Sequence, residues 1–372
     1  MILRSLTLRN FRNYQFENFS FHEGLNLFYG ENAQGKTNLL EAIHILLTFR
    51  GFKQLKTEEL IQFGQSQARI KGEVYTESGL NDVHIMLNKG GKAIRLNGKV
   101  VYNLSKVVGK FNTVAFLPTD IEIIKGSPQG RRRYLDTVIC NFNPEHLVDL
   151  RSYVRSLMQR NALLTKSSKF SIDSIEVWDD RIAELGGKII ERRKKYIKRF
   201  EGEIRKVYKL LTGNNCQIDI HYGLSFNLSS DILGALKERL KSSLDMDRRR
   251  GHTSVGPHRD IIEFRIDGRN ASEYASQGEA KTLAIALKVS EIEISRIKTE
   301  RTPILLLDDI TSELDENRKS FLFQLLNEFR GQVFVTATNT SEILFKGEKK
   351  LFHIKAGSAR TVDSKKVGSS LN

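Results

Sequence analysis

The 372-residue sequence predicts an α/β fold in which a head with a mixed β-sheet is interrupted by an inserted, mostly helical lobe. Apolar and polar residues alternate from about 68 to 102, a pattern typical of antiparallel strands. Apolar runs at 304–308 and 332–336 favour parallel strands that are buried on both faces. From about 121 to 250, helical periodicity replaces these strand patterns, which indicates a lobe of a different class.

The first segment has strand, loop and helix patterns in succession. Alternation at 6–9 predicts a strand, and the short apolar run 25–29 predicts a second strand that ends at Gly30. Leucine and isoleucine recur at spacings of three and four from 39 to 47, which predicts a helix. The turn sequences NKGG and NG separate the strands of the 68–102 region.

The later elements complete the division of the chain. Residues 176–211 predict one long helix with an apolar stripe, and 315–330 predict a shorter helix between the two buried strands. Four segments result from these patterns. They are a head segment 1–120, an inserted helical lobe 121–250, a second head segment 251–356 and a flexible tail 357–372.

Composition and charge narrow the class of protein. Lysine and arginine number 59 against 44 aspartate and glutamate residues, which gives a formal net charge of +15 at pH 7. This excess indicates a polyanionic partner, nucleic acid before membrane. Cys140 and Cys216 form no CxxC, which excludes a disulfide scaffold and a cysteine-based zinc site. Because no apolar run reaches about 18 residues, and Arg4 and Arg9 interrupt any signal sequence, we expect a cytoplasmic protein.

Residues Gly30–Thr37 read GENAQGKT and match the phosphate-loop pattern G-x-x-x-x-G-K-[ST] between a strand and an apolar helix. The glycines permit the torsions that curl the loop, and its N–H groups and the helix dipole favour a phosphate. Lys36 is expected to reach the β- and γ-phosphates, and the Thr37 hydroxyl to hold Mg²⁺. The predicted nucleotide contacts are Gly30, Glu31, Asn32, Ala33, Gln34, Gly35, Lys36 and Thr37.

Two adjacent acids, Asp308 and Asp309, close the buried strand that begins at Ile304. Such a pair is costly to bury without a cation. Asp308 is therefore expected to bind Mg²⁺ through water, and Asp309 to polarise or orient the attacking water. Alternatively, Asp309 caps the next turn. Because the acids come long after the phosphate loop, the strands beside the site come from opposite ends of the chain.

Ser276, Gln277 and Gly278 form a turn that opens an apolar helix, and this turn is either an anion site or the cap of an ordinary helix. In this order the phosphate loop, the turn and the acid pair resemble ABC-type P-loop ATPase heads of the structural-maintenance-of-chromosomes class. In those heads the signature turn of one subunit closes on the nucleotide at the phosphate loop of another. By the same resemblance, Thr336 stands where many ABC ATPases have a switch histidine and is expected to contact the γ-phosphate.

Five blocks, in order over nearly the whole chain, resemble the RecF family of recombination mediators. The blocks are LRNFRNY (Leu8–Tyr14), GENAQGKTNLLEAI (Gly30–Ile43), RRRYLD (Arg131–Asp136), GPHRD (Gly256–Asp260) and LLLDDITSELD (Leu305–Asp315). The resemblance implies a two-lobed head with a short helical arm and an ATP-driven homodimer that binds DNA at gaps or single-strand/double-strand junctions. It also implies work with RecO and RecR to load RecA, and slow ATP hydrolysis in which Lys36 and Asp309 are catalytic.

Departures from the family pattern fall in the signature and in the GPHRD block. The family signature usually reads SQGQQRT, whereas Glu279, Ala280 and Lys281 stand here in place of Gln, Gln and Arg. A carboxylate at 279 would repel a triphosphate unless it points away. Ile261 replaces the second acid of the family's GPHRDD. His258 and Arg259 in the same block are either a structural hydrogen-bond node or a DNA or interface contact.

Two further groups have alternative interpretations. The segment Ser312–Asp315 either joins the two sites of a dimer or caps the helix that follows. Lysine and arginine residues on the long helix are either a solvated face or a contact surface for the DNA backbone, bound by charge and not by sequence. The predicted DNA-binding residues are Arg192, Arg193, Lys194, Lys195, Lys198 and Arg199.

The sequence therefore predicts a weak, DNA-stimulated ATPase that uses ATP and Mg²⁺ and acts as a dimeric clamp. A DNA-bound motor ATPase is one alternative, but it would need tandem motor cores and translocation motifs, which the sequence lacks. A scaffold that binds ATP without cleaving it is another, and the paired acids argue against it. Membrane transport by an ABC-like head fits poorly with the helical insertion and the basic helix.

Overall fold

The computed structural model describes residues 1–52, 56–165, 172–228, 231–309 and 314–362. Among the helices in these ranges, none is long and apolar enough to cross a membrane.

Runs of strands and runs of helices follow one another along the chain. Within the described ranges the strands are β1 (Ile2–Phe11), β2 (Tyr14–Ser20), β3 (Leu25–Tyr29), β4 (Gln67–Thr76), β5 (Gly79–Asn88), β6 (Gly91–Leu96), β7 (Lys99–Val100), β8 (Thr113–Phe116), β9 (Ile218–Gly223), β10 (Ile261–Ile266), β11 (Arg269–Asn270), β12 (Ile304–Leu307), β13 (Val333–Ala337), β14 (Lys349–Lys355) and β15 (Ser358–Val362). The helices are α1 (Lys36–Thr48), α2 (Ile121–Lys125), α3 (Pro128–Phe142), α4 (Pro144–Thr165), α5 (Ile172–Thr212), α6 (Ile232–Ser242), α7 (Leu244–Arg250), α8 (Ala271–Tyr274), α9 (Gln277–Thr299) and α10 (Glu316–Glu328).

The chain forms two compact units, and the first contains Met1–Asp120 together with Glu291–Asn372. One of its sheets is antiparallel, with the strand order β2-β1-β4-β5-β6-β7. The other is mixed, with the order β15-β14-β3-β13-β12-β8, in which only β15 runs antiparallel to its neighbour. The predicted antiparallel strands at 68–102 and the predicted parallel strands at 304–308 and 332–336 are thus confirmed.

Helix α1 joins the two sheets of this unit into one core, since it contacts β1, β4 and β5 of the antiparallel sheet and β8 and β13 of the mixed sheet. Its apolar stripe is fully buried. The residues of the stripe are Leu39, Leu40, Ile43, Leu46 and Leu47. Aromatic side chains fill the space nearby, and the rings of Phe21 and Phe334 meet edge to face with centroids 4.9 Å apart.

The second unit spans Ile121–Ser290. The predicted long helix is confirmed as α5, which begins at Ile172 and ends at Thr212. The unit is not wholly helical, because a small sheet with the order β11-β10-β9 lies beside the helices. The predicted boundary at 250 therefore moves to Ser290: β10 pairs antiparallel with β9 along its whole length and belongs with the lobe.

A charged cluster lies in the core of this second unit. Arg160 on α4 is fully buried, and its guanidinium donates to Asp179 on α5 at 2.5 Å and to Asp247 on α7 at 2.7 Å. It also donates to the Thr253 hydroxyl at 3.0 Å. Because a buried guanidinium is costly unless its donors are satisfied, these bonds fix how the three helices pack.

Part of the predicted flexible tail is a strand. Residues Ser358–Val362 form β15, which pairs antiparallel with β14 from Lys355↔Ser358 to Leu351↔Val362. The backbone ladder orders this segment although three of its five side chains are polar, which explains why the sequence pattern did not reveal it. The rest of the predicted tail, 363–372, lies outside the described residues.

Candidate nucleotide-binding site

The loop Gly30–Thr37 joins β3 to α1 in the first unit, as predicted. Gly30 and Gly35 have φ values of 144° and 115°, which side chains rarely allow. A Cβ on Gly30 would lie 2.4 Å from the Ile354 carbonyl oxygen, and one on Gly35 would lie 2.5 Å from Asn13 Nδ2. Glycine is therefore required at both positions because of the backbone torsion and because of the close neighbours.

Two turns hold this loop from outside, through residues for which no role was predicted. From the β1–β2 turn, Asn13 Nδ2 donates to Gln34 O at 2.9 Å, and Tyr14 OH donates to Gly35 O at 2.9 Å. From the β14–β15 turn, Gly357 N donates to Gln34 O at 3.0 Å. Asn13 and Tyr14 lie in the LRNFRNY block, and the resemblance of that block to a known family could have pointed to them. Together these bonds fix the curvature of the loop.

Lys36 is buried at the start of α1, and its ammonium group lies over its own loop. Nζ donates to Gly30 O at 2.6 Å and to Glu31 O at 2.8 Å. Burial lowers the pKa of Lys36, and the nearby charges of Asp309 and Asp308 oppose that shift. The positive charge therefore lies inside the loop and beside the two acids, in a position to attract a phosphate group.

The structure brings Thr37 and Asp308 together across 271 positions of sequence, since Thr37 Oγ1 donates to Asp308 Oδ1 at 2.8 Å. Burial raises the pKa of Asp308, while the hydrogen bonds from Thr37 and Thr336 act in the opposite direction. A threonine hydroxyl and one carboxylate are ligands that suit Mg²⁺, which is usually held by few protein oxygens together with substrate phosphates. The residues present therefore fit the predicted metal. Among the described residues, no group of three or more His, Cys, Asp or Glu offers a metal site without a substrate.

Thr336 and Asp309 lie side by side at the ends of neighbouring strands. Thr336 Oγ1 donates to Asp308 Oδ1 at 2.9 Å and accepts from Asp309 N at 2.8 Å. The predicted γ-phosphate contact by Thr336 is not what the geometry shows, because its hydroxyl is fully buried and directed at the acid pair. Whether Asp309 caps the next turn concerns 310–313, which lie outside the described residues.

Residues 2–361 match the family model described as RecF/RecN/SMC N terminal domain. The chain is 38% identical over 348 residues to the DNA replication and repair protein RecF of Thermoanaerobacter sp. (strain X514), which covers 92% of this chain and 96% of the relative. It is 36% identical over 362 residues to the protein of the same name from Streptococcus suis (strain 05ZYH33), with 96% and 98% covered. The chain belongs to the RecF family. Members of this family are DNA replication and repair proteins.

Solved structures agree with this assignment. A structure of the recombination mediator protein RecF-ATP in the RecFOR pathway matches with a TM-score of 0.91 and 36% identity, covering 97% of this chain and 98% of that one. An Smc head bound to the C-winged helix domain of ScpA matches with a TM-score of 0.56 and 14% identity, which shows the fold alone. The predicted ABC-type ATPase head and the predicted RecF resemblance are both confirmed.

The signature turn of this RecF-family chain lies in the second unit, where α9 begins at Gln277. Glu279 Oε2 accepts from Ser276 N and from Ser276 Oγ, both at 2.8 Å, and Glu279 N donates back to Ser276 Oγ at 3.2 Å. These hydrogen bonds lower the pKa of Glu279. The turn is thus a capping box, and the carboxylate that replaces the family's Gln points at the signature serine. Gln277 and Gly278 form the first turn of the helix.

Beside this turn, Lys125 Nζ donates to Ser272 O at 3.3 Å and to Ala275 O. The cation therefore fixes the backbone that leads into the signature. In the segment after the acid pair, Ser312 and Glu313 lie outside the described residues. Asp315 caps α10, since its side chain accepts from Arg318 N at 3.0 Å. The capping interpretation therefore holds for Asp315.

The predicted DNA-binding residues divide into two groups. Arg193 is buried, and its guanidinium donates to both carboxylate oxygens of Asp136 and, at 2.7 Å, to Pro257 O. Arg193 is therefore a structural residue and not a DNA contact, which corrects the prediction. Arg192 pairs with Asp149 at 2.5 Å. The others lie on the solvent side of α5; Lys195, Lys198 and Arg199 are exposed and Lys194 is half-buried.

The GPHRD block of this RecF-family chain forms a partly buried hydrogen-bond node. His258 Nδ1 lies 2.7 Å from Tyr153 OH, and its Nε2 lies 3.1 Å from Thr253 O. Asp260 accepts from Tyr222 OH at 2.6 Å and from Ser225 N at 2.9 Å. His258 thus fits the structural interpretation, while Arg259 is exposed. Ile261, the departure from the family block, begins β10 with an exposed side chain.

Proposed function

We propose that this chain is an ATP-dependent, DNA-binding recombination mediator with weak, DNA-stimulated ATPase activity. The observation that carries the proposal is the 2.8 Å hydrogen bond between Thr37 and Asp308, which places the phosphate loop against the acid pair. ATP is the proposed nucleotide because a solved RecF-family relative is described with ATP. Action at DNA gaps with RecO, RecR and RecA is proposed from the family and from that relative's RecFOR pathway.

Each of four side chains in the first unit has its own role in the proposed hydrolysis of ATP. Lys36 would leave the Gly30 and Glu31 carbonyls and turn to the β- and γ-phosphates. Thr37 and Asp308 would hold Mg²⁺, which when bound neutralises phosphate charge. Asp309 would orient the water that attacks the γ-phosphate. Because catalysis of phosphoryl transfer rests mainly on positioning and charge, these four side chains are the first unit's contribution to a slow hydrolysis switch.

A second copy of the chain would complete the site. We place Ser276 and Gly278 of one copy against the ATP bound by the other, as in the heads that the sequence resembles. ATP can drive dimerisation only if it contacts both chains, because a ligand shifts an equilibrium by its differential affinity for the two states. Hydrolysis would remove the shared contact and let the copies part.

DNA would bind along the exposed side of α5. Lys195, Lys198 and Arg199 lie there, and Arg205, Lys206 and Lys209 continue the same side through the next turns. Among the described residues, no ion pair involves Lys195, Lys198 or Arg199, whereas Arg205 pairs with Asp219 and Lys206 with Glu203. Free cations at helical spacing suit phosphate groups of a DNA backbone and carry no base specificity.

The test is light scattering of the purified protein with and without ATP and Mg²⁺, and with and without gapped duplex DNA. We expect the mass to double with ATP, Lys36→Ala to lose nucleotide binding, and Ser276→Arg to bind ATP but stay monomeric. Ser78→Arg, at an exposed turn between β4 and β5, is the matched control and should dimerise normally. A wild-type mass that stays monomeric at saturating ATP would contradict the shared site.

Two further assays address the rival functions. Phosphate release with and without gapped DNA separates a switch ATPase from a scaffold that never cleaves ATP, and Asp309→Asn should abolish release while prolonging the dimer. A strand-separation assay addresses the motor alternative. We expect phosphate release that rises with DNA and no strand separation.

A further inference from the structure

The hydroxyl group of Thr336 makes two hydrogen bonds. The hydroxyl proton goes to Asp308 Oδ1 at 2.9 Å, and the oxygen accepts the backbone N–H of Asp309 at 2.8 Å. Strands β12 and β13 run parallel with Leu307 opposite Val335, so Thr336 and Asp308 each come one residue after a paired position. The side chain is fully buried, and the acid pair takes the hydroxyl's one donor and one of its two acceptor lone pairs.

The bond to Asp309 acts on an unusual backbone. Asp309 has φ 43°, in the left-handed region that residues with a side chain seldom adopt. Its N–H is the group that Thr336 holds, so the hydroxyl fixes the peptide between the two acids. The orientation of that peptide decides the direction in which the Asp309 side chain leaves the strand end.

The bond to Asp308 is shared with the phosphate loop. Thr37 and Thr336 both donate to the same oxygen, Asp308 Oδ1. A Thr37 hydroxyl that holds a metal would direct a lone pair of its oxygen to the cation, while its proton can still go to Asp308. Thr336, which is not one of the predicted metal ligands, holds the same Asp308 oxygen whether or not a cation is bound.

We propose that Thr336 is a positioning residue that sets both acids, Asp308 toward the metal and Asp309 toward the attacking water. This rests on the proposed ATPase function. Outer hydrogen bonds that orient a metal ligand typically contribute about 10–100-fold in metal affinity or activity. Thr336 touches neither ATP nor metal in this role, and it differs in that respect from a switch histidine.

Thr336→Val keeps the shape and removes both hydrogen bonds, Thr336→Ala removes them without a branched side chain, and Thr336→Ser restores the hydroxyl. The matched control is Thr113→Val, in β8 of the same sheet, where the buried hydroxyl has no hydrogen-bond partner among the described residues. Binding of a fluorescent ATP analogue is measured with Mg²⁺ and with EDTA, together with the Mg²⁺ concentration for half-maximal binding, phosphate release and thermal unfolding without nucleotide.

For Thr336→Val and Thr336→Ala we expect the Mg²⁺ requirement to rise about 10-fold and the hydrolysis rate to fall about 10–100-fold. Binding in EDTA should change less than about twofold, since the lysine and the loop are untouched. Thr336→Ser should return both values to near wild type, and Thr113→Val should not alter them. If valine unfolds the protein, alanine and serine give the same comparison.

The outcomes separate this proposal from the proposed function. A wild type that hydrolyses ATP, with a folded alanine or valine variant of unchanged Mg²⁺ requirement and rate, overturns the role of Thr336 and leaves the function intact. Equal losses in EDTA and in Mg²⁺ also overturn it, because they indicate a general disturbance of the loop. A wild type without Mg²⁺-dependent ATP binding or hydrolysis overturns the function itself.

Discussion

Arg193 on α5 and Asp136 on α3 form a two-pronged ion pair, with 2.8 Å from Nε to Oδ1 and 2.7 Å from Nη2 to Oδ2. Burial alone would raise the pKa of Asp136, but the charge and hydrogen bonds of Arg193 and the hydrogen bond of His146 lower it overall. The pair connects two helices of the second unit. It also removes one cation from the surface of the most basic helix.

Replacing Arg193 with Gln should destabilise the protein by about 3–5 kcal/mol, because Asp136 would be left as a buried charge without its partner. Urea unfolding measures this change. The contrasting variant is Lys198→Gln, five residues further along α5, whose exposed side chain should alter stability by less than about 0.5 kcal/mol. Equal stability of the two variants would mean that Arg193 is not an internal structural residue.

Exposed cations on α5 should control DNA affinity. Changing Lys195, Lys198 and Arg199 together to Gln should weaken DNA binding and flatten its salt dependence by up to about 2–3 in the slope of log K against log salt. The matched control removes the same charge from the first unit through the substitutions Lys89→Gln, Lys99→Gln and Lys106→Gln. Affinity titrations over a range of salt measure both. Identical slopes for the two triple variants would rule out the helix as the DNA surface.

His258 should make folding sensitive to acid. Burial lowers the pKa of His258 to about 4, so the folded state keeps it neutral where the unfolded chain is protonated. Above the unfolded pKa of about 6.5 the ring is neutral in both states, and His258 does not lower the free energy of unfolding. As the pH falls from there toward 4, protonation of the unfolded chain lowers the free energy of unfolding by at most about 3 kcal/mol. Urea unfolding between pH 4 and 7.5 should therefore show a smaller pH dependence for His258→Gln than for wild type. If the free energy of unfolding depends on pH equally in wild type and His258→Gln, the pH dependence does not come from His258.

Glu279 should have opposite effects on folding and on assembly. Glu279→Ala removes the acceptor of two Ser276 hydrogen bonds and should cost about 0.5–1 kcal/mol in unfolding free energy, since the cap is exposed. Glu279→Gln keeps an acceptor but removes a charge, and under the shared-site proposal it should strengthen ATP-dependent dimerisation about two- to fivefold. Light scattering at graded protein concentration measures this.

Glu238→Gln, on the exposed side of α6, is the matched control for charge removal. It should leave the dimerisation constant unchanged. If Glu279→Gln also leaves it unchanged while ATP still drives dimerisation, the carboxylate does not face the triphosphate in the assembled dimer.

Local patterns were sufficient to predict much of the head. The parallel strands at 304–308 and 332–336, helix α1 and helix α5 follow from hydrophobic periodicity, which neighbouring residues determine. The meeting of Thr37 with Asp308 was also predictable, because parallel strands present their carboxyl ends at one edge. What the pattern could not supply was the choice of pairing partner. Strand β10 joins β9, and only that pairing moves the boundary from 250 to Ser290.

The burial of Arg193 could have been read from the sequence. It lies four residues after Ile189 and four before Ile197, on the apolar stripe of α5 and away from the exposed face of Lys195 and Lys198. The hydroxyl of Thr336 gave no such signal. A threonine at a strand end fits several roles, and the two acids that it contacts determine which applies.

The position of β3 between β13 and β14 bears on how the protein is made. Both neighbours of this early strand are among the last elements of the described chain, and Gly357, in the turn between β14 and β15, donates to the phosphate loop. During translation, the GENAQGKT segment therefore leaves the ribosome long before its supporting strands exist. We therefore expect this apolar strand to lack its partners, and the phosphate loop to lack its support, until synthesis has passed residue 357.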